Sequence, residues 1–184
     1  MFRRIIPVLP ALLLTLAVAP PASADPKLQA ALPGSYCIYD IGRVKGYPVG
    51  NTYVTPMAMN NRNQIVGVIS NSSLELPQAF IWERGAGMRK LGTLRGHDTA
   101  TAMDINDAGQ VVGDSWHYDT GAQLSFIWDK RRGMRKVNAS LGGGSHGATG
   151  INNLGQIVGA SITAAGDGHG YFRDMDGDVY DLGI

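Results

Sequence analysis

Three groups of side chains have the types and spacing that could do chemistry. Trp116, His117 and Tyr118 are consecutive and stand among polar residues. Aromatic rings in such a segment could stack on a sugar ring or a peptide, or they could simply cap a sheet. His97 and His146 are expected in glycine-rich connections, where binding residues are common and solvated turns are the alternative. We therefore take Trp116, Tyr118, His97 and His146 as candidate ligand-binding residues.

Asp174, Asp176 and Asp178 have a spacing similar to that of a calcium loop. The EF-hand order is not met because Gly177 comes too early, and Asp-Gly is a preferred pair in a hairpin turn. The sequence therefore favours a turn, with calcium as the alternative and no other cofactor. The four histidines and the single cysteine lack zinc-type spacing, so no metal site is expected from them.

The letters G-x-S-x-G occur at residues 143–147, but the glycine-rich sequence around them predicts no helix after the serine, as a nucleophile elbow requires. We therefore assign no catalytic residue and expect a protein that is not an enzyme. A secreted hydrolase whose serine, histidine and aspartate come together from separate loops is the alternative.

The candidate side chains belong to a sequence that repeats every 46 residues, so the structure of the repeat determines where they lie. The segments MNNRNQIVG, INDAGQVVG and INNLGQIVG occupy residues 59–67, 105–113 and 151–159. A second block, with Phe-Ile-Trp at 80–82 and again at 126–128, recurs in step with the first. Each unit reads as four short strands because its apolar residues alternate and its turn residues are regularly spaced.

The turn between the first two strands has the same chemistry in every unit. It opens on an asparagine, whose side chain can bond the backbone two residues on. It closes on Asn or Gly, the residues that best tolerate a positive φ. A glycine in the second strand predicts a bulge or a close approach of the backbone. The opening residues are Asn60, Asn106 and Asn152, the closing residues are Asn63, Gly109 and Gly155, and the strand glycines are Gly67, Gly113 and Gly159.

The three motifs I-N-D-x-G-Q-V-V-G, A-F-x-W and L-G-T-L together resemble the HAF repeat of bacterial proteins described as probable extracellular repeat proteins. They occupy residues 105–113, 79–82 and 91–94. The resemblance covers roughly residues 39–183, although Gln78 and Leu124 replace the histidine of the naming motif. It implies an exported repeat protein with propeller-like blades, and it implies no known reaction.

The first 24 residues have the order of a signal peptide. Arg3 and Arg4 precede an uncharged apolar run over residues 5–18, and Ala-Ser-Ala occupies 22–24. This pattern predicts a Sec-type signal cleaved after Ala24 and a secreted or periplasmic protein without an integral membrane segment. An uncleaved anchor is the alternative, which the prolines of the segment weaken. Cys37 is expected to be buried or to form an intermolecular disulfide.

The net charge of the chain indicates which kinds of partner it can bind. Two of the 16 basic residues lie in the signal segment, which leaves 14 against 15 acidic residues. A nearly neutral chain is a poor nucleic-acid binder, since such proteins have a strong basic excess. A protein partner or a polysaccharide is expected instead.

The predicted domain plan has few parts. A signal peptide (1–24) and a linker (25–35) precede one all-β domain at 36–184. That domain starts with a lone strand at 36–42, which resembles the last strand of a unit. The four-stranded repeats occupy about 56–101, 102–147 and 148–183.

Three units are too few to close a β-propeller, which usually needs four to eight blades. A β-trefoil-like or β-prism-like threefold closure, an open array, and a ring completed between chains are the alternatives. The segment joining the third and fourth strands carries net charges of +2, +4 and −3 in the successive units. Such edges favour a head-to-tail contact between chains, or they serve only to keep exposed strands from pairing.

The expected function is therefore that of an exported, non-enzymatic β-repeat module. It would bind a partner or a glycan at the cell surface or in the periplasm. The secreted hydrolase and a purely structural repeat protein remain the alternatives.

Overall fold

The computed structural model describes residues 38–42, 52–71 and 76–183, and every regular element in them is a β-strand. The strands form three antiparallel four-stranded sheets, each in sequence order. The first sheet contains β1 (Thr52–Met59), β2 (Ile65–Asn71), β3 (Gln78–Glu83) and β4 (Gly87–Lys90). The second contains β5 (Thr99–Ile105), β6 (Val111–Trp116), β7 (Gln123–Asp129) and β8 (Gly133–Lys136). The third contains β9 (Gly142–Ile151), β10 (Ile157–Thr163), β11 (Gly168–Arg173) and β12 (Val179–Asp181).

The all-β prediction with four strands per repeat is confirmed. The predicted signal peptide, the linker and Cys37 lie outside the described residues. The lone strand predicted at 36–42 is wrong for residues 38–42, which have no regular secondary structure, and residues 36 and 37 are not described. A local turn forms there instead, because Asp40 Oδ1 accepts a hydrogen bond of 2.8 Å from the Gly42 amide.

The first turn of each repeat has the predicted chemistry. Asn60 Oδ1 accepts hydrogen bonds of 3.0 Å from the backbone amides of Arg62 and Gln64. The closing residues Asn63, Gly109 and Gly155 have φ values of 57°, 77° and 85°. The same local chemistry therefore sets the register of β1 on β2, of β5 on β6 and of β9 on β10.

The strand glycines mark a bulge, as predicted. The pairing of β5 with β6 shifts register between Ala102 and Asp104, opposite Gly113. A Cβ on Gly113 would overlap the carbonyl oxygen of Thr101, and Gly67 and Gly159 are equally crowded by backbone. Glycine is needed at these positions because the neighbouring strand comes too close for any side chain.

The three sheets stack face to face in a row. Strand β5 packs on β2 and β3 of the first sheet, and β9 packs on β6 and β7 of the second. The core between the first two sheets contains Val66, Ile81, Phe126 and Trp128. The core between the second and third contains Val112, Ile157 and Tyr171.

The row is open in the described part of the chain, since no extended contact joins the first sheet to the third. Neither a closed propeller nor the threefold closure of a trefoil or prism is therefore formed by these residues. Across the same residues no helix has the length and apolar character needed to cross a bilayer.

Candidate functional site

The loops that connect the antiparallel strands lie at the two opposite ends of the strands. One end, the loop end, carries the connection at 91–98 and the loop at 117–122. The other end, the turn end, carries the turns at 106–110 and 130–132. Side chains far apart in sequence therefore meet at each end.

An aromatic cluster lies at the loop end of the second sheet. We define it as His97, Asp98, Trp116, His117 and Tyr118. The Asp98 amide donates to the Trp116 carbonyl at 2.9 Å, and the Tyr118 amide donates to Asp98 Oδ2 at 2.9 Å. The His97 and His117 rings meet edge to face with centroids 6.4 Å apart. Two separate segments are thus held together at this point.

The cluster is both accessible and held by its backbone. Trp116 is 39% exposed and Tyr118 is 71% exposed. The loop that carries Tyr118 is closed by hydrogen bonds of 2.9 Å from His117 N to Ala122 O and from Gly121 N to His117 O. The Tyr118 ring is therefore presented on a hydrogen-bonded loop, and the Trp116 ring stands at the end of β6.

Three of the four predicted ligand residues meet in this cluster, and the sequence missed Asp98. It belongs to the connection before β5 and reaches the other loop only through the pairing of Thr99 with Trp116. That pairing has no signal in the local sequence, because the two residues belong to different strands.

His146 is placed differently from its prediction. The glycine-rich stretch around it is the beginning of β9 and not a connection, and the side chain is only 2% exposed. The glycines serve close packing there, since a Cβ on Gly143 would crowd Ile162 and Thr163. His146 therefore lies in the core between the second and third sheets.

His146 is part of a buried hydrogen-bonded network. Its Nδ1 lies 3.0 Å from the Ser125 amide and 2.9 Å from Ser125 Oγ, which lies 3.2 Å from the Tyr171 hydroxyl. Because the amide can only donate, Nδ1 is the acceptor and Nε2 carries the proton. Burial, together with the charge of Lys136, lowers the pKa of His146 to about 4. Burial likewise raises the pKa of Tyr171.

Ser125 and His146 have the geometry of a catalytic nucleophile and its base, but a substrate has no access to the serine. Ser125 is fully buried, and His146 is almost so. A substrate carbonyl would have to reach the serine through the interface between two sheets. The network is therefore structural, satisfying polar groups that would otherwise be buried without partners.

The three aspartates of the calcium alternative lie in the turn between β11 and β12. Asp174 Oδ1 accepts backbone hydrogen bonds of 3.1, 3.0 and 2.9 Å from Asp176, Gly177 and Asp178. Gly177 has a φ of 101°, as a turn glycine does. In the described part of the chain no three His, Cys, Asp or Glu side chains are arranged to hold a metal ion. Asp174 is thus engaged with the backbone of its own turn.

A basic cleft of about 500 Å³ opens at the turn end between the first and second sheets. We define it by Arg62, Arg84, Arg89, Lys130 and Trp128, which line it together with Glu83. The Arg89 guanidinium stacks 4.8 Å from the Trp128 ring centre, and its Nη2 lies 3.9 Å from Glu83 Oε2. The sequence pointed to the basic charges of these strands but not to the cleft, because its walls come from two repeats.

No protein-family model matches the chain, and a search of curated proteins returns no match either. The resemblance to the HAF repeat is therefore an expectation from the sequence motifs alone.

Proposed function

We propose that this chain is an exported, non-enzymatic β-repeat module that binds a glycan through the aromatic cluster. Its three sheets are arranged like neighbouring blades of a propeller. The observation that carries the proposal is the exposure of Trp116 and Tyr118 beside the Asp98 carboxylate. An aromatic ring can stack on the apolar face of a sugar, and a carboxylate accepts hydrogen bonds from its hydroxyls.

The order of the cluster supports a binding role. The backbone of Tyr118 is held by Asp98, and the rings of His97 and His117 are in contact. A site that is ordered before binding loses less conformational entropy when the ligand arrives. Carbohydrate binding therefore does not require the loop to become ordered around the ligand.

Binding is favoured over the two alternatives. A hydrolase needs an accessible nucleophile, and the serine of the Ser125 and His146 pair is closed off between sheets. Trp116 and Tyr118, which are 39% and 71% exposed and only two residues apart, favour a binding surface over a purely structural repeat.

A glycan array probed with the purified full chain tests the proposal. We expect Trp116→Ala and Tyr118→Ala each to weaken binding to the same glycans about fivefold, since a stacked ring contributes about 1 kcal/mol. Tyr53→Ala is the matched control, because Tyr53 is 63% exposed on β1 of the first sheet and is not a member of the cluster. Binding that survives in both cluster variants, or that falls equally in the control, would refute the proposal.

An acidic glycan is the second ligand class to be scored on the same array, because the basic cleft favours it. The cleft brings three arginines and Lys130 around Trp128, and guanidinium groups bind carboxylate and sulfate oxygens well. Uronate or sulfated glycans bound there should be lost in Lys130→Ala and kept in Arg131→Ala. Lys130 lines the cleft, whereas the neighbouring exposed Arg131 does not.

A further inference from the structure

The interface between the second and third sheets is more polar than the interface between the first and second. Five polar or charged side chains of the later interface have apolar equivalents one repeat earlier in the sequence. The polar residues are Asp114, Gln123, Ser125, His146 and Tyr171, and their equivalents are Val68, Pro77, Ala79, Ala100 and Phe126. Buried polar groups are costly compared with apolar packing of the same shape. Their concentration at one of two similar interfaces therefore points to a role beyond packing.

A pocket of about 170 Å³ opens between these two sheets at the loop end. We call it the inter-sheet pocket and define it by six of its lining residues. These are Met103, Asp114, Gln123, His146, Thr149 and Ile162. Pockets for drug-sized ligands measure about 300–1,000 Å³. The inter-sheet pocket therefore has room for one substituent of a larger ligand.

One hydrogen-bond donor of the pocket has no partner among the described residues. His146 Nδ1 accepts from the Ser125 amide at 3.0 Å, so the proton of the neutral ring is on Nε2. Nε2 makes no hydrogen bond in the described part of the chain, although His146 lines the pocket and is only 2% exposed. Because a buried donor without a partner is unfavourable, a ligand oxygen that accepts from Nε2 binds with a gain.

Asp114 supplies an acceptor to the same pocket. Its carboxylate accepts hydrogen bonds from the side chains of Gln123 and Trp116 and from the Ala148 amide. Burial raises the pKa of Asp114, and these three bonds lower it. A carboxylate has about four acceptor sites, so one is left for a ligand. The space beside it is open because residue 147 is glycine: a Cβ there would lie 2.8 Å from Gln123 Nε2 and 3.0 Å from Asp114 Oδ1.

A donor and an acceptor in one small pocket select a neutral ligand group. A carboxylate or phosphate would accept from His146 but would be repelled by Asp114. An ammonium group would bind Asp114 but would leave the His146 donor without an acceptor. A secondary amide satisfies both side chains, since its carbonyl accepts and its N–H donates. The apolar side chains of Met103 and Ile162, which also line the pocket, favour a methyl group on that amide.

Trp116 connects the inter-sheet pocket to the aromatic cluster. Asp114 and Trp116 are two residues apart on β6, so their side chains leave the same face of the sheet, and the indole is hydrogen-bonded to the carboxylate. We propose that the inter-sheet pocket binds the acetamido group of an N-acetylated sugar whose ring stacks on Trp116. This inference rests on the proposed glycan function and specifies the class of sugar.

Two tetrasaccharides that differ only in the substituent at carbon 2 test the inference. One consists of β-1,4-linked N-acetylglucosamine and the other of β-1,4-linked glucose. Calorimetric titration of the full chain should give about tenfold tighter binding of the acetylated tetramer. The reason is that a hydroxyl has no methyl group, and its single oxygen replaces the separate donor and acceptor of the amide.

Two variants should remove this preference and leave the two tetramers within about twofold of each other. Asp114→Val removes the acceptor, and the sheet accommodates valine because Val68 is the equivalent residue of the first repeat. Gly147→Ala keeps the carboxylate but places a methyl group beside it. Asp178→Val is the matched control and should keep the preference, since Asp178 is exposed in the turn between β11 and β12. Urea unfolding of the same samples checks that each titrated variant is folded.

Tyr118→Ala separates this inference from the proposed function. It should weaken the binding of both tetramers by the same factor and leave their ratio unchanged, because Tyr118 belongs to the aromatic cluster and does not line the pocket. Equal binding of the two tetramers, binding of neither, or a preference that survives in both pocket variants would overturn the acetamido pocket. The proposed function fails separately, when glycan binding on the array survives the loss of the cluster rings.

Discussion

The buried His146 imidazole is the residue whose charge state matters most to this fold. Its Nδ1 accepts hydrogen bonds from Ser125, and burial holds its pKa at about 4. In an unfolded chain a histidine titrates near pH 6.5. The folded state therefore favours the neutral form of this side chain.

Stability should fall in mild acid for this reason. Between about pH 6.5 and pH 4 the unfolded chain binds a proton that the folded chain does not, so the free energy of unfolding decreases as the pH falls. The loss is on the order of 3 kcal/mol and levels off below the folded pKa. Urea denaturation at a series of pH values measures it.

His146→Asn is the matched variant, because the amide oxygen can still accept from Ser125 but does not titrate. Its stability should be lower at neutral pH and should not fall across this window. Asp107, Asp129 and Asp181 do not affect the window, since their pKa values are lowered and their contribution is lost only in stronger acid. Burial raises the pKa of Asp114, which adds stability as the pH falls in wild type and variant alike, so the difference between the two reports His146. An equal acid slope in wild type and variant would contradict the role given to His146.

At the scale of the strand, the repeated bulge depends on one glycine in each sheet. Gly113→Ala should destabilise the chain by more than about 2 kcal/mol, because the new methyl group would overlap backbone that cannot move aside. Gly170→Ala is the control, since its Cβ would meet its nearest neighbours at an ordinary 3.8 Å. The control should be neutral or slightly stabilising. Free energies of unfolding in urea that are equal for the two variants would show that the bulge can relax.

Turns and bulges could be predicted from the sequence because their causes are local. The opening asparagine, the closing residue and the strand glycine act within a few residues of one another, and each recurs three times. The aromatic cluster was only partly predictable, because Asp98 meets Tyr118 through strand pairing. His146 was misplaced because glycine is typical both of loops and of strands that pack closely, and only the neighbouring sheet decides between them.

For the whole molecule, the open row makes the three sheets unequal. The second sheet is covered on both faces by the cores that contain Val111 and Val112, whereas Met59 and Val158 are left exposed on the outer sheets. The number of sheets could be predicted from the number of sequence repeats. Whether the sheets close into a ring could not, because that depends on the rotation between neighbouring sheets.

Hydrogen exchange should report this inequality. The amides of β10 should exchange faster than those of β6, since local opening is easiest where a sheet has only one neighbour. Each of these strands pairs with a strand on both sides within its own sheet, so a difference between them reports the covering of the sheet faces. The comparison is made on the full chain by mass spectrometry. Equal protection of β6 and β10 would contradict the open row.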